Sequence, residues 1–383
     1  MTGGSPPAAP AAARAERQPP VGQGARPYEL AWFGCDLKTG GIIEDLRALR
    51  PTGAISRKLG ASTTSSFELT LAGAPADWEA ATDEGRTMLV AVDTVTDLPL
   101  WAGIVLTREG GSSGTVQIGA ATPETYLDRR YTADQVLIQR DGADVITALM
   151  TAPLTAGPRF VMDAPPLGRR FDFQAQDGDD RTVLSAMQEL MGMAGGPEWT
   201  VDVAWADPSH TGFVLPVRVR TAIGAQSAQP EGTFDFPGCV SSYTLHESYE
   251  AGKGATVVQA RGEGEGVGRL TSAVYSVDDL LRGGWPRWIY RFTPATGITD
   301  PAQLNAHAAS ALAGMKTGTR TWSVEAVASR APRLGRDWAL GDTVRIAVDH
   351  SPRHPRGADV VARAWSWELD PASDRVRPIL VED

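Results

Sequence analysis

Residues Asp179–Trp205, DDRTVLSAMQELMGMAGGPEWTVDVAW, hold the sharpest change of periodicity in the chain. Val183, Leu184, Met187, Leu190 and Met191 recur at the three- and four-residue spacing of one helical face, and Asp179 or Asp180 stands where a cap is expected. Gly192, Gly195 and Gly196, followed by Pro197, stop that helix, because glycine relieves a left-handed termination and proline cannot continue it. Trp199, Val201, Val203 and Trp205 then alternate with Glu198, Thr200, Asp202 and Ala204, the period of a half-buried strand. With short strands before this junction and strands again after it, the chain reads as α+β and predominantly β.

Working outward toward the N-terminus, FVLPVRVRTAIG is the expected hairpin partner of WTVDVAW, and residues 151–178 form a Pro/Gly/Asp-rich approach to the helix. Before them lie a short helix started by Thr122 and Pro123 and a second over Ala143–Met150. Residues 28–121 hold about six strands with turn signals at barrel or sandwich spacing, including WAGIVLTRE and TVQIGAA joined through GGSSG. Toward the C-terminus, SSYTLHESYE and ATVVQARGEG read as candidate paired strands, and Pro301–Met315 as a helix capped by Asp300. Strands resume at TRTWSVEAVA, GDTVRIAVD, ADVVARAWSWEL and VRPILV. The expected division is a Pro/Ala-rich disordered arm at 1–27, a barrel-like β domain at 28–130, a central α+β domain at 131–235, and a second barrel-like β domain with an inserted helix at 236–383.

Composition narrows the function. A net charge of −10 over 383 residues argues against binding nucleic acid by neutralising phosphates. Cys35 and Cys239 supply no disulfide framework or metal-ligand set. No apolar run approaches the ~18 residues that span a bilayer, and the N-terminus lacks the apolar segment of a signal peptide.

The formal chemical motifs fail on context. Gly110–Gly114 matches G-x-S-x-G around Ser112, but it lies between two strands rather than between a strand and a helix. Gly262–Gly268, GEGEGVG, misses the dinucleotide-binding spacing and reads as a flexible loop. Asp177, Asp179 and Asp180 lack the later glycine and glutamate of a calcium loop. His350 and His354 would share a helical face, but Pro352 makes that helix improbable. His210, His246 and His307 have no neighbouring ligand set, and Trp101, Trp199, Trp322, Trp365 and Trp367 lie in strand patterns that favour core or subunit packing. No catalytic, cofactor-binding or metal residue is assigned.

The order of several segments carries more. AWFGCDLKTGGIIEDL, DWEAATDEGR, LPLWAGIVLTRE, YLDRRY, GGPEWTVDVAW, FDFPG, LGDTVRIAV and AWSWELDP follow one another from about Tyr28 to the C-terminus. In that order they resemble the minor tail proteins of long-tailed actinobacterial phages, relatives of the tail hub or tail-tip proteins beneath the tail tube. The resemblance implies a non-enzymatic virion component with two tube-like barrels, assembled as a homotrimeric ring at the distal end of the tail after synthesis in the bacterial cytoplasm. Its implied partners are further copies of itself, the distal tail or tail tube protein, the tape-measure protein and other tail-tip proteins, with DNA passing non-specifically and no stable membrane insertion. The chain ends just after its last strand, so no lytic extension is expected. A hub of a contractile injection device, and a carbohydrate-active enzyme or sugar-binding tail component, are the competing readings; the enzyme requires two carboxyls roughly 5 to 10 Å apart across one cleft.

Overall fold

The computed structural model describes residues 27–193, 195–262, 266–294 and 301–382. The expected arm, apart from Pro27, lies outside the described residues, as do Asp300 and residues 263–265 of the glycine-rich run.

The N-terminal sheet has seven strands, in the order Ile42–Asp45, Leu30–Asp36, Thr87–Asp93, Leu98–Gly110, Thr115–Ala121, Thr64–Thr70, Leu49–Pro51. Its two outermost strands are consecutive in the chain, joined by residues 46–48. A flat seven-stranded sheet would hold its edges roughly 29 Å apart, at about 4.8 Å per strand. The link can span only about 15 Å, so the sheet curls until its edges approach at that corner.

The C-terminal sheet repeats the device. Its order is Thr233–Phe236, Thr343–Val348, Ala358–Asp370, Arg375–Val381, Thr319–Val327, Val240–Ser248, and its outermost strands are joined by residues 237–239. In both sheets the last three strands of the unit form an antiparallel meander around a 13-residue middle strand, and the strand that precedes them returns beside the last.

The fold is therefore predominantly β, with two barrel-like units and α+β structure between them. One continuous apolar core runs through both barrels, containing Trp32, Phe67 and Trp101 from the first and Trp322, Trp338 and Trp367 from the second. The strand Ile55–Lys58 explains part of that continuity. It leaves the first sheet and pairs antiparallel with Ser366–Leu369 of the second. At the other seam, residues 233–235 lie before the expected boundary, yet Thr233–Phe236 pairs in the C-terminal sheet, so two strand ladders cross the expected divisions, and single backbone bonds such as Phe213 N–H to the Gly40 carbonyl cross them too.

The central unit packs on the outside of the first barrel. All seven residues of Thr87–Asp93 are buried, because Leu89 and Ala91 point into the barrel while Met88, Val90 and Val92 join the core of the central unit. That doubly apolar pattern is the one expected of a strand covered on both faces. Against it lie the sheet of Phe160–Asp163, Phe213–Arg220 and Glu198–Val201, the two-stranded ladder of Gln135–Asp141 with Arg170–Ala175, and the helices Gly142–Leu149 and Val183–Gly192.

Two local expectations are corrected. The helix over Val183–Gly192 is capped by Thr182, whose Oγ1 accepts from the Ser185 amide at 3.1 Å; Asp180 instead adopts a left-handed conformation that closes a preceding turn. WTVDVAW is two strands, Glu198–Val201 and Ala204–Trp205, both paired to Phe213–Arg220. The break falls at Asp202, whose carboxylate is drawn to Arg57 at 2.7 Å and Arg218 at 3.0 Å.

An excursion over residues 249–318 projects from the second barrel. Its sheet runs Tyr275–Ser276, Val257–Ala260, Ile289–Phe292, so the expected pairing of Val257–Ala260 with Val240–Ser248 is not made, and Val240–Ser248 pairs with Thr319–Val327 instead. The helix Pro301–Met315 seals one face with Leu304, Ala308 and Leu312.

Candidate assembly surfaces and the joints behind them

Three buried arginines join the three units. Arg333 of the second barrel donates from Nε and Nη2 to Asp93 of the first at 2.7 and 2.5 Å, with both side chains at most 7% exposed. Its guanidinium lies 4.2 Å from the Tyr28 ring centroid, and the Tyr28 hydroxyl accepts from the Leu334 amide. Burial opposes ionisation of Asp93, but hydrogen bonds from Arg333 and Thr96 outweigh it and hold the carboxyl below the usual range. Arg363 of the second barrel makes a matching two-point pair with Glu198 of the central unit, at 2.8 and 2.7 Å.

Arg57 completes the set from the crossing strand. It donates to Asp202, to Thr200 Oγ1 and to the Val201 carbonyl, while the Trp101 indole donates to the Ser56 carbonyl at 3.1 Å. Residues 55–58 thus touch the first barrel, the central unit and the C-terminal sheet at once. Burial disfavours the Asp202 carboxylate, yet Arg57 and Arg218 more than compensate and lower its pKa. Nearby Glu124 is buried and displaced the other way, because burial outweighs the attraction of Arg57.

The LGDT turn seats the second barrel on the central unit. Gly341 and Gly224 both have positive φ, and a Cβ on Gly224 would come within 2.2 Å of the Gly341 carbonyl carbon. Only glycine permits both the left-handed backbone and this approach. Asp342 then accepts from the Ala225 amide at 2.6 Å and the Ala339 amide at 2.8 Å.

The formal motifs scatter. Ser112 lies in an exposed hairpin loop between Leu98–Gly110 and Thr115–Ala121. Asp177, Asp179 and Asp180 form an exposed turn. His350 and His354 occupy a loop and face different partners, the Pro355 carbonyl at 3.2 Å and the Tyr243 hydroxyl at 2.7 Å. His354 also stacks on Trp322, and Ser351 hydrogen-bonds Tyr243, so the group anchors the loop over residues 349–357 against the barrel. Among the described residues no three His, Cys, Asp or Glu side chains converge as a metal site. Cys35 and Cys239 are both buried and unpaired with each other; burial raises the Cys35 thiol, and burial with the neighbouring Asp235 pushes Cys239 up to about 12.

Trp101, Trp199, Trp322 and Trp367 are core residues and Trp365 is partly buried. Sequence reading missed two tryptophans of the opposite kind: Trp285 and Trp288 are 44% and 53% exposed, beside Ile289 at 53%. Their signal was the stretch WPRWIYRF after Gly283–Gly284, which interleaves large apolar groups with arginines on a turn-to-strand segment. A second exposed apolar set, Tyr131, Val136 and Ile138, flanks or lies on the edge ladder of the central unit.

No family model matches the chain. No curated protein sequence matches it either. Solved structures do. The tail protein from Neisseria meningitidis aligns over 94% of this chain and 97% of its own, with a TM-score of 0.58 at 14% identity. The fold is one shared with phage tail proteins. The 43 kDa tail protein of prophage MuSo2 from Shewanella oneidensis covers 92% of this chain and 98% of its own, with a TM-score of 0.56 at 13% identity. Prophage tail protein gp18 from Listeria monocytogenes covers 93% and 94%, with a TM-score of 0.54 at 9% identity. The likeness extends across both barrels and the central unit rather than resting on one of them.

Proposed function

We propose that this chain is a structural tail-tip protein, a hub subunit that forms a closed ring between the tail tube and the distal tip and surrounds the path of the DNA. The observation that carries the reading is the doubled barrel within a fold shared, nearly end to end, with phage tail proteins. Two similar units per chain let three chains present six similar units around one axis, and a closed ring satisfies lateral surfaces without unlimited polymerisation. Three buried arginine pairs suit a body that transmits position between neighbours. Net acidity suits a DNA passage, since like charge limits adhesion of a polyanion. The dispersal of Ser112, the acidic turn and the histidines favours assembly over turnover.

The test is the symmetry and position of this chain in an assembled particle, read by electron microscopy. Threefold density around the tail axis with two barrels per subunit is the expected result. A single peripheral copy, or a place on a side fibre, would overturn the ring.

A further inference from the structure

Two strands in different units carry outward apolar residues on backbone edges that no other strand pairs among the described residues. Gln135–Asp141 belongs to a two-stranded ladder and exposes Val136 at 69% and Ile138 at 52%. Ile289–Phe292 is the outer strand of the excursion's three-stranded sheet; Ile289 and Arg291 face out while Tyr290 and Phe292 turn toward the helix. An open edge with apolar neighbours is a template for adding a strand.

Their charges differ in sign where the apolar side chains lie. The Val136 end of the first ladder is flanked by exposed Asp134, Asp177 and Asp179, while exposed Arg140 and Arg170 stand at its other end. Arg287 and Arg291 flank the Trp285–Ile289 patch, are exposed, and make no ion pair among the described residues. If the two different edges meet, the acidic end that carries Val136 and Ile138 faces the arginines beside Trp288 and Ile289. Head-to-tail contact between two different patches is also the kind that closes a ring with more than two members.

We propose that the strand Gln135–Asp141 of one copy docks edge to edge on Ile289–Phe292 of the next copy, with Trp285 and Trp288 covering Val136 and Ile138. This rests on the ring reading and adds to it the two surfaces that meet.

The test uses full-length chains assembled into tails. Val136→Cys and Ile289→Cys are made singly, expressed together or apart, and treated with a short bismaleimide; native Cys35 and Cys239 are buried. A crosslinked dimer should form only when both variants are present. Reversing Arg287 and Arg291 to Glu should cut incorporation about tenfold or more, and Asp177→Lys with Asp179→Lys on the same chain should restore most of it. Dimers from either single variant alone, crosslinks from Ile289→Cys to a different tail protein, or no mixed dimer in tails whose ring is visible by microscopy would each overturn the docking and leave the ring standing. Absence of any ring in those tails would overturn the ring reading and this contact with it.

Discussion

The two barrels share a plan and differ in what they do with its gaps. In the first, Thr64–Thr70, Thr87–Asp93, Leu98–Gly110 and Thr115–Ala121 take the places held in the second by Thr319–Val327, Thr343–Val348, Ala358–Asp370 and Arg375–Val381. The middle strand is 13 residues in both and the final strand 7 in both. The final hairpins turn through loops of equal length, residues 111–114 and 371–374. Before the repeated strands the barrels diverge. After the edge strand that follows its corner, the first barrel interposes only Ile55–Lys58 before Thr64–Thr70, whereas the second interposes the whole excursion over residues 249–318 before Thr319–Val327. The leading strand is antiparallel to Thr87–Asp93 in the first barrel, but parallel to Thr343–Val348 in the second.

What is held constant is what curls the sheet and fills it; what varies is what faces another body. The first barrel spends its gap on a strand given to its twin, and the second on a projecting unit with an open edge. The loops repeat the lesson. Gly111, Ser112, Ser113 and Gly114 are all exposed, while in residues 371–374 the carboxylate of Asp374 accepts from the Ser329 amide at 2.8 Å and its hydroxyl at 2.6 Å.

If the barrels are one cooperative body, deleting the core of either should cost the same transition. Trp101→Ala and Trp367→Ala should each lower stability by about 3–5 kcal/mol, and chemical denaturation should show a single transition followed alike by near- and far-ultraviolet circular dichroism. Two separated transitions in either variant would break the single-body view. A somewhat smaller loss, about 3 kcal/mol, is expected for Arg333→Ala, which leaves Asp93 buried without its partner. Arg333→Met combined with Asp93→Leu should recover most of that loss in the same titration.

Acid sharpens the comparison further. The folded-state pKa values of Asp93 and Asp202 are lowered, so the stability they contribute is present above the ordinary aspartate value of about 3.9 and is lost as pH falls through their lower folded values. The parent should therefore lose melting temperature more steeply on acidification below that value than the Arg333→Met/Asp93→Leu protein. Glu124 has the opposite sign: its folded value is raised, so its contribution is greatest in acid and declines as pH rises through that value. Glu124→Gln should melt no lower than the parent at neutral pH. The smallest effect is expected at the loop that formally resembles a nucleophile site: Ser112→Ala should change stability by less than about 0.5 kcal/mol and, on the tail-tip function proposed above, leave particle infectivity unaltered in a plaque assay.

Much of the frame was readable because it depends on short-range pattern. The alternation in WAGIVLTRE and TVQIGAA marked the hairpin that the structure holds as Leu98–Gly110 with Thr115–Ala121, whereas the first three residues of FDFPG are strand and only its Pro-Gly begins the barrel corner, where Asp235 accepts from the Cys239 amide at 3.0 Å. The crossing of Ile55–Lys58 was not readable, since AISRKL has the period of any half-buried strand and its partner lies about three hundred residues away. Asp202 looked like one polar position in an alternating strand because nothing local announces Arg57. The joints were hidden for the same reason: each pairs distant charges that are individually ordinary. At the candidate surfaces, chemistry-bearing motifs drew attention away from WPRWIYRF, whose meaning depends on exposure rather than residue type.

The crossing strand also sets how the molecule answers a pull. Ile55–Lys58 lies antiparallel along Ser366–Leu369, held in register by four residue pairs. A force that slides one barrel past the other along this strand loads those pairs in parallel, so they must fail together. A force that peels the strand from one end loads them one at a time. The same few hydrogen bonds therefore resist shear along the strand strongly and peeling weakly, and the direction of a load relative to the strand determines whether the two barrels behave as one rigid part.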